Sequence, residues 1–466
     1  MKRALIIIAI ILLIAAVVGL VLLGGLMMNN YAETGSVFGS GFDLSGGFWE
    51  NIIGDDTIDG IPTSPRPSET DEKFTDPSPD RTDGDEDIYI DDEDPYVDYV
   101  DIFIFNYCGD GNVEVSLNKY YSAEEIVIPS TYDGKTVFRI AQDAFLNRSD
   151  IKKIVLPDTI KAIYANAFSG CSSLSEIVLP DGVERIKQGA FEGCSSLKSI
   201  NLPANIAFIG SNAFKGCTSL TSVILPPNLY DLDASAFEGC TSLSYVEIYD
   251  VHSFDANVFS GCSALETVKI CGNNIGMVRD NQFGLDVPVK NVIFAEGLTR
   301  ISAEICKGFS ELRQVKIPDS VVEIGERAFF NCQNLEVIEF SQNLTTIEKF
   351  AFGSCSNLRS VTIPDSVKVI DESAFASCSS LSEVSLGRSV EVLQSTAFFQ
   401  CSSLEKIHIC ENLKFIGPVA FYGCEKLEIT YEGSAAEWNA ITKATDWAIG
   451  IGDYKIICSD ATLTPN

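Results

Sequence analysis

The stretch L-K-S-I-N-L-P-A-N-I-A-F-I-G-S-N-A-F-K-G-C-T-S, Leu197–Ser219, decides the fold, because at Leu220 it begins again. Ile200 and Leu202 are two apart, as a strand with one buried face requires. Pro203 ends that strand, since it brings no N–H to a ladder. Ile206 and Ile209 point inward from a return segment, Ala213 permits a close turn, and Phe214 fills the centre. Cys217 acts as a small buried hydrophobe at the next corner. The same phenylalanine recurs every 23 residues, at Phe145, Phe168, Phe191, Phe214 and Phe237 and again at Phe329, Phe352, Phe375, Phe398 and Phe421. A cysteine stands three residues behind most of them. One coil cannot bury its own apolar side chains, so a fixed period of this length means a stack of coils. About 13 coils are expected, with a parallel strand of each on the concave side and short turns or helical turns on the convex side.

The pattern L-x-x-V-x-I-P-x-x-L-x-x-I-x-x-x-A-F-x-x-C, carried in many copies across residues 124–430, resembles the BspA-like class of leucine-rich repeat in bacterial surface proteins. The run I-V-I-P-S-T-Y-D-G-K-T-V from Ile126 looks like the first repeat of that class, and Tyr431-Glu432-Gly433 like its closing segment. Members are often adhesins, so the resemblance implies adhesion to host matrix proteins or to other cells. The repeat is disturbed over residues 250–309. One coil is short near Ile248–Val251, one is long near Cys271–Asn274, and Cys306 and Phe309 exchange places. Repeat decay with a bend and a binding site built on irregular loops both fit this region. The Cys306/Phe309 exchange roughly conserves volume and reads as repacking.

Outside the repeats, Lys2 and Arg3 precede an uncharged apolar run over residues 4–28. As a helix it would be long enough to cross a bilayer, with residues 1–3 cytoplasmic by the positive-inside rule. An uncleaved anchor is expected; a cleaved signal peptide would have a shorter apolar core and an A-x-A site. The expected localisation is therefore a single-pass cell-membrane protein with extracellular repeats. Residues 29–95 read as a disordered acidic spacer rich in Gly, Ser and Pro. Residues 96–123 read as an N-terminal hairpin cap and residues 431–466 as a C-terminal cap.

Net charge is −32, with 65 acidic and 33 basic residues. Such a chain is a poor partner for nucleic acid. Catalytic constellations are missing from the sequence: it has two histidines, His252 in an irregular turn and His408 facing outward from a strand, and no H-E-x-x-H, G-x-S-x-G or C-x-x-C motif. The expectation is a non-enzymatic protein with no cofactor and no metal. Equivalent cysteines of neighbouring coils point the same way, which is poor disulfide geometry, so the ladder thiols are expected free. The remaining candidate is the outward strand face. There Val155, Val178, Ile224 and Tyr245 make the N-terminal half more apolar than a solvent face needs to be. They are the expected ligand contacts, for a protein or glycan of host or neighbouring cells. A structural or assembly role in the bacterial envelope is the alternative.

Overall fold

Each coil crosses the stack twice in extended form, and the two crossings build two parallel ladders. The computed structural model describes residues 99–108, 111–275, 283–284 and 287–464, and these belong to one compact unit that begins at Val97. The fold is a β-solenoid of about 15 turns. On one side run the longer strands, among them Glu125–Val127, Lys153–Val155, Glu176–Val178, Ser222–Ile224, Tyr245–Ile248, Thr267–Ile270 and Asn291–Phe294. Their middle residues point inward and their flanks outward, as in Glu176–Val178, where Ile177 alone is buried. The ladder resumes through Gln314–Lys316 to Lys426–Tyr431 and Asp453–Ile457. On the return side, two-residue strands such as Ala162–Ile163, Arg185–Ile186, Phe208–Ile209 and Asp231–Leu232 pair in register.

The phenylalanines form the axis of the stack. Phe145, Phe168, Phe191, Phe214 and Phe237 lie ring on ring at 5.0–5.1 Å, close to the ~4.8 Å spacing of hydrogen-bonded strands. In the C-terminal half the spacing opens from 5.1 Å at Phe329–Phe352 to 5.7 Å at Phe398–Phe421. The rings lie between two hydrogen-bonded ladders, and the longer strands form the concave side of the solenoid. At the disturbed coils Phe309 meets Phe283 edge-on at 5.0 Å, and Phe294 meets Phe329 at 6.1 Å. Ring contacts thus continue past Cys306, which is itself fully buried.

Two left-handed residues flank each phenylalanine. Two positions before it stand Asn166, Asn212 and Asn257, and two positions after it Gly170, Gly193 and Gly216, all at φ between 54° and 72°. Only Gly, and to a lesser degree Asn, reaches this region cheaply, which explains the K-G-C and S-N-A-F elements of the repeat. The cysteines close the corner. The ladder thiols donate to a carbonyl of the preceding coil, 26 residues earlier from Cys194 to Phe168 and from Cys217 to Phe191, both at 3.2 Å, and 25 residues earlier from Cys262 to Phe237 in the short coil. All the described cysteines are free thiols. Burial pushes the Cys217 thiol up to about 12.

At the N-terminal end, Phe103–Tyr107 and Asn112–Leu117 form an antiparallel hairpin whose second strand pairs with Lys135–Ile140. At the other end the helix Ala435–Ala440 carries a capping box between Ser434 and Glu437 and buries Trp438. The expectation of a single-pass membrane protein is corrected here: among the described residues no helix is long and apolar enough to cross a membrane. Residues 4–28, where the span was expected, and the spacer 29–95 lie outside the described residues.

Candidate functional site

The concave face is built by the outward residue at the end of each strand, and register decides what stands beside what. Val127 pairs with Val155 and Val155 with Val178, so three valines stack in one column with no polar residue between them. Val127 is 59% exposed, Val155 39% and Val178 64%. Asp158, Glu176 and Pro180 border the shallow depression between Val155 and Val178. On the next column Lys153 lies 3.4 Å from both Glu125 and Glu176, so the aliphatic stripe has an acidic margin with one neutralised lysine. Val127 was not among the residues singled out from the sequence. The signal for it was present, because I-V-I-P at Ile126 carries the same in-out-in register.

The stripe is interrupted at Asn201. Its side-chain amide turns back on the preceding coil, accepting from the Leu179 N–H at 2.9 Å and donating to the Leu179 carbonyl at 2.8 Å. In other coils a backbone carbonyl fills this role, as in Ile128 N–H to Val155 at 3.0 Å. The side chain thus replaces a rung, and residues 199–201 form no strand. Beyond it Ile224 is 56% exposed and pairs with Glu247.

Tyr245 stands apart from this stripe. It occupies the other outward column, is half-buried, and donates its hydroxyl to Glu247 at 2.9 Å. Glu247 also accepts from Tyr249 at 2.8 Å, from Lys269 at 3.0 Å and from Cys271 at 3.4 Å. Only 8% of Glu247 is exposed. Burial pushes its carboxyl up, but the four donors outweigh burial and hold it at about 2. Tyr249 and Cys271 take the place where regular coils carry proline. The structure therefore joins Val155 and Val178 directly, sets Ile224 one coil beyond the Asn201 break, and assigns Tyr245 to a polar clasp.

A second polar corner lies near the C-terminal end. His408 faces outward from Lys406–Ile409, with Nε2 at 3.2 Å from Oε1 of Glu432. Cys410 is buried and donates to the Leu386 carbonyl at 3.2 Å. Burial and then the Glu432 carboxylate push this thiol up to about 11.

Among solved structures, the chain is similar to a leucine-rich repeat protein from Bacteroides ovatus, with 30% identity over 78% of this chain and 100% of that one and a TM-score of 0.48. It is also similar to a leucine rich repeat protein of T. pallidum, with 25% identity over 45% of this chain and 88% of that one and a TM-score of 0.36. A leucine rich cell surface protein from Faecalibacterium prausnitzii is 25% identical over 76% of this chain and 98% of that one, with a TM-score of 0.30. No curated protein matches the chain. The BspA type leucine rich repeat region matches residues 116–243, 190–308 and 299–428, and with well over half of its length so matched the chain belongs to that family.

Proposed function

We propose that the chain is a non-enzymatic scaffold that binds a partner protein along the concave strand face of its N-terminal coils. The carrying observation is the in-register valine column Val127, Val155 and Val178, exposed on a rigid sheet. Exposed apolar side chains scattered singly are ordinary, whereas three in one uninterrupted row form a surface that gains from losing water. The acidic margin of Glu125, Glu176 and Asp158 favours a partner whose apolar ridge is flanked by basic side chains. An aliphatic stripe suits protein side chains better than sugar rings, which bind best on aromatic platforms. Ile224, two coils beyond Val178 and past the Asn201 break, extends the contact further. The finer reading is adhesion, with a matrix protein or a protein of a neighbouring cell as partner.

The test is a binding panel of purified matrix proteins, mucins, glycans and envelope components, probed with the protein. Saturable binding to a matrix protein, weakened by Val178→Glu, supports the reading. Saturable binding to envelope components alone sinks the adhesive form of it. Binding that Val178→Glu leaves unchanged removes the valine column from the account.

A further inference from the structure

We propose that His408, Cys410 and Glu432 form a binding site for a divalent transition-metal ion of the zinc type. The argument begins with the repeat. His408 lies in the strand Lys406–Ile409 and Cys410 is the first residue past its end, and their ligand atoms come within 4.8 Å of each other. Ile409 pairs with Tyr431, which places Glu432 on the next coil beside Cys410, one strand spacing away. Regular coils carry Pro at the Cys410 and Glu432 position, as at Pro318 and Pro364. Two successive coils thus replace a proline that ligates nothing with a thiol and a carboxylate. The imidazole comes from the column that elsewhere holds Val155, Val178 or Thr362.

The geometry fits the ion. One ligand atom from each residue lies within 4.8 Å of the other two. Around a tetrahedral zinc with bonds of roughly 2.0–2.3 Å, ligand atoms stand about 3.3–3.6 Å apart. The His408–Glu432 separation of 3.2 Å is already at that value, and the thiol, within 4.8 Å of both, needs to close by at most about 1.3 Å. Thiolate, imidazole and carboxylate together select zinc over magnesium or calcium, which prefer oxygen alone. Three protein ligands leave the fourth position to water or to a donor from a partner.

The scaffold holds the set in place. The His408 carbonyl accepts from Leu386 N–H at 2.9 Å, and Glu432 N–H donates to the Ile409 carbonyl at 3.0 Å. Both flanking backbones are therefore fixed in the ladder, and the side chains alone adjust. The ion replaces the His408–Glu432 hydrogen bond, and Cys410 gives up its hydrogen bond to the Leu386 carbonyl as its proton leaves to solvent and the thiolate–metal bond forms.

The test titrates the reduced full-length chain with Co²⁺. Expected are a thiolate-to-cobalt charge-transfer band with the visible bands of tetrahedral cobalt, and their loss on adding one equivalent of Zn²⁺. Cys410→Ser should abolish the charge-transfer band, and His408→Ala and Glu432→Gln should each weaken Co²⁺ binding at least ~10-fold. Cys271→Ser serves as a control that keeps the band. Unchanged far-ultraviolet circular dichroism keeps the variants interpretable as folded proteins. An octahedral spectrum without the thiolate band, as acidic side chains alone would give, overturns the proposal. So does a band that survives Cys410→Ser.

Discussion

Truncating Phe214 to alanine probes the axis of the stack. Phe214 is fully buried and lies between Phe191 at 5.1 Å and Phe237 at 5.0 Å, with both rings within 3° of parallel. Deleting a buried phenylalanine side chain costs about 3–5 kcal/mol from lost transfer energy and the cavity left behind. The coils above and below are held at strand spacing by their ladders and cannot collapse into the gap, which argues for the upper part of that range. Phe145 is the comparison, since it opens the run of rings and stacks on Phe168. Phe145→Ala should cost less by about the worth of one aromatic pair, ~0.5–1.5 kcal/mol. In a quasi-one-dimensional array the loss concentrates in neighbouring coils. Native-state hydrogen exchange is therefore the assay, read at the amides of the coils around Phe191 and Phe237. A drop in opening free energy of about 3–5 kcal/mol there is expected. A drop below ~1 kcal/mol would refute the claim that the ring column supports the stack.

Two further outcomes follow from the polar clasp and the thiols. Glu247 sits at about 2 in the fold and near ~4.3 in an unfolded chain, so its stabilisation is complete above the unfolded value and is lost as pH falls toward 2. At ~1.4 kcal/mol per unit that is about 3 kcal/mol. Thermal midpoints should fall more steeply over this window in the native protein than in Glu247→Gln, and parallel curves would contradict the clasp. Alkylation of the native chain should reach the half-buried Cys108 and Cys271 first, while ladder thiols such as Cys217 and Cys378, pushed up to about 12 by burial, wait for unfolding. Ladder disulfides in the native mass spectrum, or ladder labelling as fast as at Cys108, would show the corner packing to be wrong.

The stack was legible because each coil repeats its own burial pattern. Ile200, Pro203, Ile209 and Phe214 each have one role, and the 23-residue spacing repeats it. The same register gave the outward column, hence Val155, Val178 and Ile224. The return ladder was not legible, because pairs such as Arg185–Ile186 are too short to show a period of two. Nothing local in the sequence reveals that the Asn201 amide replaces a rung on Leu179. Tyr245 read as an exposed aromatic because its partner, Glu247, is set by a clasp that the sequence does not show: Tyr249 two residues on, and Lys269 and Cys271 one coil on, all donate to the same carboxylate. Cys271 and Cys410 could not be placed for the same reason: their partners are set by stacking.

The valine column is the central claim, and the measurement that tests it most directly is the affinity of a partner for the Val178→Glu, Ile224→Glu double variant against the native protein. Both side chains face solvent in the free protein, so the fold should survive, with the thermal midpoint lowered modestly because the new carboxylate at position 224 stands opposite Glu247. In a complex each glutamate would have to lose water beside an apolar contact, and the lost burial of two aliphatic side chains adds to that cost. Binding weaker by at least ~100-fold, about 2.7 kcal/mol, is the expected result. Unchanged affinity in a folded double variant would contradict the account and move the contact off the concave N-terminal face.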